Sequence, residues 1–500
     1  MNLAAAFADS AQRHAERTAL FWGDRVYSYG ELWSHSLFIA GILRHQFGVK
    51  QGDRVGLWLK NCPEFIPAFF GILQAGAVVV PINNFLKPDE VQFILGDAGI
   101  DRVLADSDLS ANFQVLKAAR PALKLMNVET VLASFPIPPG NMKFETEILK
   151  NPERHASDLA VLVYTSGTTG RPKGAMLSHG NLLHNVESCR IILQTVEQDR
   201  FAVLLPMFHS YMITVGMLLP LFVGGSIVLV KSLHPVRNAI QELFTHSATV
   251  LPAIPQFYRS MTNADIPVPL PLRICISGSG PLPVQVLKDF EQKFRIPLIE
   301  GYGLSEASPV VAKNPLDGTR KPGSVGLPIP NVEMSIQDDA GRPLGPGEIG
   351  EICVRGGNVM LGYWNHPEET AKAFRLGWLL TGDIGYRDEQ GYYFITDRKK
   401  DMLLVNGNNV YPREIEEVIY QFPNVKEAAV VGQPDSRRGE QPVAFVVPSE
   451  GATVEPEALL KFVRSKLADY KVPRRVILTA ALPRNATGKI LKTILRQQVG

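Results

Sequence analysis

Short apolar, β-rich runs that alternate with helix-like runs constrain the fold of this chain more than any other feature. Val55–Leu59 reads as a strand, Phe65–Gln74 as a helix and Ala77–Ile82 as a second buried strand. The order recurs later: Arg273–Ser277 as a strand, the turn Gly278-Ser279-Gly280, Val284–Phe294 as a helix, and Pro297–Ile299 opening the next strand. Strand, crossover helix and strand imply parallel sheets covered by helices, with ligands held at the carboxyl ends of the strands. The fold class expected is therefore α/β, and 500 residues leave room for about three domains or subdomains.

The character changes near residue 320. Lys321–Pro330, Gly341–Gly350 and Gly356–Gly362 are rich in Gly and Pro with short strands between them, which suggests a small β-barrel-like unit over about 320–397. A sharper boundary lies at Asp397-Arg398-Lys399-Lys400-Asp401. Residues 398–500 hold 17 Lys/Arg against 11 Asp/Glu, while residues 1–397 hold 34 against 38. A small basic domain behind a large, slightly acidic one suits an anionic ligand shared between them. The small domain carries its own α+β core signals. Pro412 can start a helix with Ile415, Val418 and Ile419 on one face, and Leu459, Val463 and Leu467 form a second stripe. Ala428–Val431 and Val443–Val447 read as strands. The chain thus divides at 1–397 and 398–500.

Several classes are excluded. A formal charge of +2 does not suit a nucleic-acid binder. Cys62, Cys189, Cys275 and Cys353 form no CxxC pair, so buried free thiols in a reducing cytosol are expected. The first residues lack the basic and apolar segments of a secretory signal. Phe201–Val230 has the length of a membrane span, but Pro206, Pro220 and Gly224-Gly225 interrupt it. It reads as strand, loop, buried helix and buried strand, the last over Ile227–Val230. A cytoplasmic protein is expected, with peripheral contact at the inner membrane face and a homodimer both left open.

The strongest local signal is Tyr164-Thr-Ser-Gly-Thr-Thr-Gly-Arg-Pro-Lys-Gly174, directly after the strand-like Leu159–Val163. Its glycines allow close backbone approach, its hydroxyls can donate to oxyanions, and Lys173 adds a positive charge. Such a turn can form a phosphate-binding nest. It is not a Walker loop, because Gly170 is followed by Arg171-Pro172.

Further motifs follow in order: Pro206-Met-Phe-His209, Gly301-Tyr-Gly-Leu-Ser-Glu306, Thr381-Gly-Asp383, Asp397-Arg398-Lys-Lys400, Asn406-Gly407 with Pro412, and Pro483-Arg-Asn-Ala-Thr-Gly-Lys489. Together they resemble the acyl-adenylate-forming superfamily: acyl-CoA synthetases, adenylation domains of peptide synthetases, and beetle luciferases. The similarity spans about residues 10–495. It implies a small mobile C-terminal domain and a site for ATP. The ATP residues would be Thr165, Ser166, Gly167, Thr168, Thr169, Gly170 and Lys173, with Ser277, Gly278, Ser279, Gly301 and Gly303. Tyr302 would offer a flat face to the purine, and Ser305 a hydroxyl to phosphate where the family usually has Thr. Asp383 and Arg398 would hold the ribose. Glu306 and Thr165 would hold Mg²⁺, a hard cation suited to oxygen ligands.

The resemblance also assigns the chemistry. Lys489 would be the catalytic lysine, bridging a carboxylate and the α-phosphate, two anions that repel each other. Glu306 would assist through Mg²⁺, and His209 would gate the acyl pocket. Lys400 matches the hinge about which the small domain turns. Asn406 and Gly407 would then meet the pantetheine arm of coenzyme A. Its phosphates would fall to basic residues such as Arg438 and Arg475, with Arg437, Lys471 and Arg474 as other candidates.

The acid is suggested by absences. The resemblance implies that amino-acid-activating members hold the ammonium with an Asp after the Pro-Met-Phe segment; here His209-Ser-Tyr-Met-Ile-Thr-Val has no acid, so that ammonium would be buried without a counter-charge. Gly303 stands where acetate-specific relatives close the pocket with Trp. Phe208, His209, Tyr211, Gly303 and Val310, with Met207 and Met212, could line an apolar tunnel. The expected activity is ATP-dependent ligation of a medium- or long-chain fatty acid to coenzyme A, through acyl-AMP. The alternatives are an aryl, coumarate-type acid, an acyl-AMP ligase loading a carrier protein, and a non-catalytic nucleotide or acyl sensor.

Overall fold

The computed structural model describes residues 1–135, 153–166, 172–233, 235–435, 437–484 and 489–499. The α/β expectation holds. Among the described residues, one sheet has nine strands and another six. In the six-stranded sheet Arg54–Trp58 runs parallel to Val78–Pro81, joined by the helix Phe65–Gln74. All ten residues of that helix are buried, which explains why its sequence is apolar all round. It packs on Tyr29–His45, whose first turn is fixed by a capping box between Ser28 and Glu31.

In the nine-stranded sheet, Arg200–Val203, Val250–Ala253, Ile274–Ser277 and Leu298–Gly303 run parallel, so their carboxyl ends share one edge. The four cysteines are buried free thiols. No described helix is long and apolar enough to cross a membrane. The apolar run does fold as strand, loop, helix and strand, ending with Ser226–Leu229. Pro220, however, does not break the helix. A wide π-type stretch, Met212–Leu218, leads into Leu219–Val223, and the Leu219 N–H reaches the Thr214 carbonyl five residues back. Proline forfeits one N–H, and the change of helical pitch carries the chain past it.

The Gly/Pro-rich region forms a five-stranded antiparallel sheet that includes Val332–Gln337, Gly350–Gly356, Trp378–Arg387 and Tyr393–Arg398. The last hundred residues build a further sheet around the long pair Val425–Asp435 and Gly439–Pro448. The helix Pro412–Ile419 buries Ile415 and Ile419 against this sheet. The second helical stripe is shorter than its pattern: the helix ends at Arg464, and Leu467 reaches the same core from beyond it.

Candidate active site

The site grows from strand ends. Leu298–Gly303 delivers Tyr302 and, through the short turn Ser305–Ala307, Glu306. Oε1 of Glu306 accepts the Thr165 hydroxyl at 3.4 Å and the Tyr363 phenol at 3.0 Å. The Ser305 hydroxyl lies 2.9 Å from that of Ser210. Gly303 sits where the strand crowds its neighbour: a Cβ there would come within 2.3 Å of the Pro309 carbonyl oxygen. Backbone packing alone therefore demands glycine, apart from any effect on the acyl pocket.

Asp383 lies inside the strand Trp378–Arg387, opposite Arg398 on the neighbouring strand. Its Oδ1 takes the Arg398 Nε–H at 2.7 Å, and its Oδ2 takes the Tyr302 phenol at 2.6 Å. Tyr302 is buried, and burial followed by the Asp383 charge pushes its pKa well up. The two ribose candidates and the purine candidate thus form one hydrogen-bonded group. Gly301 is half-buried beside Tyr302, paired with Lys313. Ser277 is fully buried at the end of Ile274–Ser277, and Gly278 lies against the Tyr211 ring. Ser279 continues the turn with φ +64°.

The small domain supplies the remaining charge. Lys489 lies close enough to His209 that its charge, after burial, lowers the His209 pKa to about 4. The imidazole is neutral at neutral pH, and its Nδ1 accepts the Tyr211 N–H at 3.2 Å. The pKa of Lys489 is itself lowered, first by burial and then by Arg398, with Asp383 opposing. The residue remains solvent-exposed, open to an arriving anion. Lys400 occupies the turn after Tyr393–Arg398, its pKa lowered by burial and by Arg398.

Phe208 and Tyr211 are buried, and the Tyr211 hydroxyl donates to the Ile276 carbonyl at 3.1 Å. Phe208 meets the exposed Phe85 edge-on at 6.3 Å. Val310 is half-buried and anchored by its backbone to Asn185. The coenzyme A candidates are not at the cleft in this arrangement. Asn406 (φ 50°) and Gly407 (φ 77°) are an exposed two-residue hairpin turn between Leu403–Val405 and Asn408–Val410. Positive φ at both positions is what Asn-Gly provides. Arg438 and Arg475 are exposed on the same small domain. Gly167, Thr168, Thr169 and Gly170 lie outside the described residues, as does the Ser166 side chain.

The oxygen donors on Glu306 and Thr165 fit a magnesium ion. Among the described residues no cluster of three His, Cys, Asp or Glu could hold a metal. One carboxylate with a neighbouring hydroxyl matches a cation whose other ligands come from phosphates and water.

A family model described as AMP-binding enzyme matches residues 7–364, and one described as AMP-binding enzyme C-terminal domain matches 414–489. This chain belongs to the AMP-binding enzyme family. A long-chain-fatty-acid–CoA ligase of Bacillus subtilis (strain 168) is 37% identical over 98% of this chain and 93% of that protein. A feruloyl-CoA synthase of an Amycolatopsis species is 34% identical over 98% and 97%. The crystal structure of ATP-bound MatB from Rhodopseudomonas palustris matches at TM-score 0.90 and 32% identity, covering 100% of this chain and 99% of that one.

Two residues of this AMP-binding enzyme's cleft were not apparent in its sequence. Tyr363 orients Glu306, and Glu369 forms an ion pair with Lys173 while also taking Lys372 at 2.9 Å. The Lys173 ammonium lies 5.5 Å from the Tyr363 ring centroid. The Tyr363–Glu306 and Lys173–Glu369 pairings join residues far apart in the chain, and nothing local announces them. Glu369 holds the ammonium expected to serve phosphate. Glu369→Ala should therefore tighten ATP binding by about 2- to 5-fold, the range open to a partly exposed pair. Calorimetric titration with ATP checks this; unchanged or weaker binding contradicts it.

Proposed function

We propose that this AMP-forming acid–CoA ligase activates a medium- or long-chain fatty acid in two steps within one cleft. In the first, a carboxylate oxygen attacks the α-phosphorus of ATP, the bond to the β,γ-phosphates breaks, and pyrophosphate leaves. Lys489 lies between the two anions and offsets their repulsion in the transition state. Tyr302, Asp383 and Arg398 hold the nucleoside, and Thr165 and Lys173 hold phosphate. Glu306, kept in place by Tyr363, and Thr165 would hold Mg²⁺, which neutralises phosphate charge when bound. Neutral His209 stands beside the acyl group without adding charge.

In the second step the domain 398–500 turns about Lys400 against 1–397 and brings the Asn406-Gly407 turn to the cleft. The thiol sulfur of coenzyme A attacks the acyl carbonyl, the mixed anhydride breaks, and AMP leaves. Arg438 and Arg475 would meet the phosphates of coenzyme A. The observation carrying this reading is that Lys489 lies close enough to His209 and Asp383, residues of the other domain, for their charges to interact.

An aliphatic acid is supported by the long-chain-fatty-acid–CoA ligase relative and by the apolar pair Phe208 and Phe85, the latter 64% exposed. The feruloyl-CoA synthase relative favours an aryl acid as the second reading. A panel of fatty and aryl acids assayed for AMP release, with and without coenzyme A, separates them. Turnover that depends on the thiol also excludes a carrier protein as the required acceptor.

Gly407→Leu tests the second step. Leucine at φ +77° costs about 1–2 kcal/mol of local strain, and nothing lies within 4 Å of the added Cβ. Pyrophosphate release without coenzyme A should stay within about 2-fold of wild type, while thioester formation falls at least about 10-fold, a rise of roughly 1.4 kcal/mol in the barrier. Equal loss in both steps contradicts the assignment.

A further inference from the structure

The helix Pro412–Ile419 has two working faces. Ile415 and Ile419 are buried in the small-domain core. Arg413, Glu417 and Tyr420 are spaced four and three residues apart along one side; Tyr420, just past the helix end, also packs on the small-domain core, where its hydroxyl accepts the Ala428 N–H at 3.3 Å. All three meet the large domain. The Arg413 guanidinium lies 3.8 Å from Oε1 of Glu300. The Glu417 carboxyl faces the Val284 backbone, where Val284–Phe294 begins. The Tyr420 ring centroid lies 5.3 Å from the Arg259 guanidinium carbon. The Arg413 N–H also donates to Oδ2 of Asp397 at 2.9 Å, across the hinge turn.

Glu300 is the centre of this contact. It is 3% exposed, its Oε1 accepts the Leu282 N–H at 3.0 Å, and its Oε2 has no partner among the described residues. Burial pushes its pKa up to about 7 against the pull of Arg413. A buried carboxylate in this position depends on the nearby cation. Glu300 and Asp397 precede Lys400, whereas Arg413, Glu417 and Tyr420 follow it. A turn of the small domain about Lys400 must therefore break these contacts.

We propose that Arg413, Glu417 and Tyr420 form a docking face that selects the acyl-AMP-forming arrangement, with Glu300 as the positioning residue that receives it. The inference rests on the two-step reading above. It explains how the domain holding Lys489 stays seated until pyrophosphate has formed. Breaking the contact raises the energy of that arrangement alone, so the two half-reactions respond differently.

Glu300→Gln and Arg413→Gln test this. The glutamine amide oxygen can still accept the Leu282 N–H. Each variant should slow single-turnover pyrophosphate release, measured with ATP and fatty acid alone, by about 10-fold, the scale of contact coupling energies. Thioester formation from preformed acyl-AMP should be unchanged or faster. The double variant should be no slower than either single one. Glu417→Gln gives an independent reading of the same face should a Glu300 variant fail to fold. Equal losses in both half-reactions, no loss in either, or additive losses overturn the docking face. Wild-type protein that forms no acyl-AMP overturns the two-step reading instead.

Discussion

Lys489→Ala is expected to slow acyl-AMP formation by about 10²–10³-fold, as the loss of one preorganised charge donor does elsewhere. ATP should still bind, because Tyr302, Asp383 and Lys173 sit on the large domain, Arg398 lies at the domain boundary, and all four keep their contacts. The size of the effect follows from electrostatics. Two anions must approach bonding distance, and Lys489, exposed to solvent beside Asp383 and Arg398, is the cation placed to offset their repulsion. No other side chain from the small domain has been assigned to this position. Rapid-quench assay of pyrophosphate release checks the rate, and calorimetry checks nucleotide binding. A variant that keeps the wild-type rate removes Lys489 from the chemistry; one that loses ATP binding as well makes it a structural residue.

Asp383→Asn should weaken AMP and ATP binding by about 10- to 100-fold, corresponding to loss of a charge-assisted hydrogen-bond group. The carboxylate joins Tyr302 to Arg398, so the amide also leaves the Arg398 cation without its counter-charge. Both the nucleoside contact and the shape of its pocket should suffer. Arg398 is partly exposed, which limits the accompanying loss of folding stability. Titration with AMP measures the affinity, and a denaturant midpoint close to wild type separates binding from unfolding. Unchanged AMP affinity contradicts a nucleoside role for Asp383.

These residues also show where sequence reasoning reached and where it stopped. Phe65–Gln74 and Val284–Phe294 were legible because apolar content and flanking turns are local signals. The helix at Pro412 was legible for the same reason. Its other face was not: Arg413, Glu417 and Tyr420 look like ordinary solvated positions until Glu300, Val284 and Arg259 are placed opposite them. Pro220 misled because a proline usually ends a helix, whereas a π-type stretch carries this one through. Asp383 was legible only as part of its motif; that it stands inside a strand whose register sets it opposite Arg398 was not. Tyr363 and Glu369 left no trace, since their roles come from long-range partners. Motif positions survive in sequence, but the residues that orient them emerge only from packing.

The central claim is that the small domain's Lys489 lets a carboxylate and ATP form a mixed anhydride. Mass spectrometry of single-turnover mixtures containing protein, ATP, Mg²⁺ and a long-chain fatty acid, without coenzyme A, tests it most directly. The prediction is enzyme-bound acyl-AMP with one pyrophosphate for each, converted to acyl-CoA and AMP when coenzyme A is added. ADP and inorganic phosphate in place of AMP and pyrophosphate, or no adduct with any acid of the panel, would contradict it.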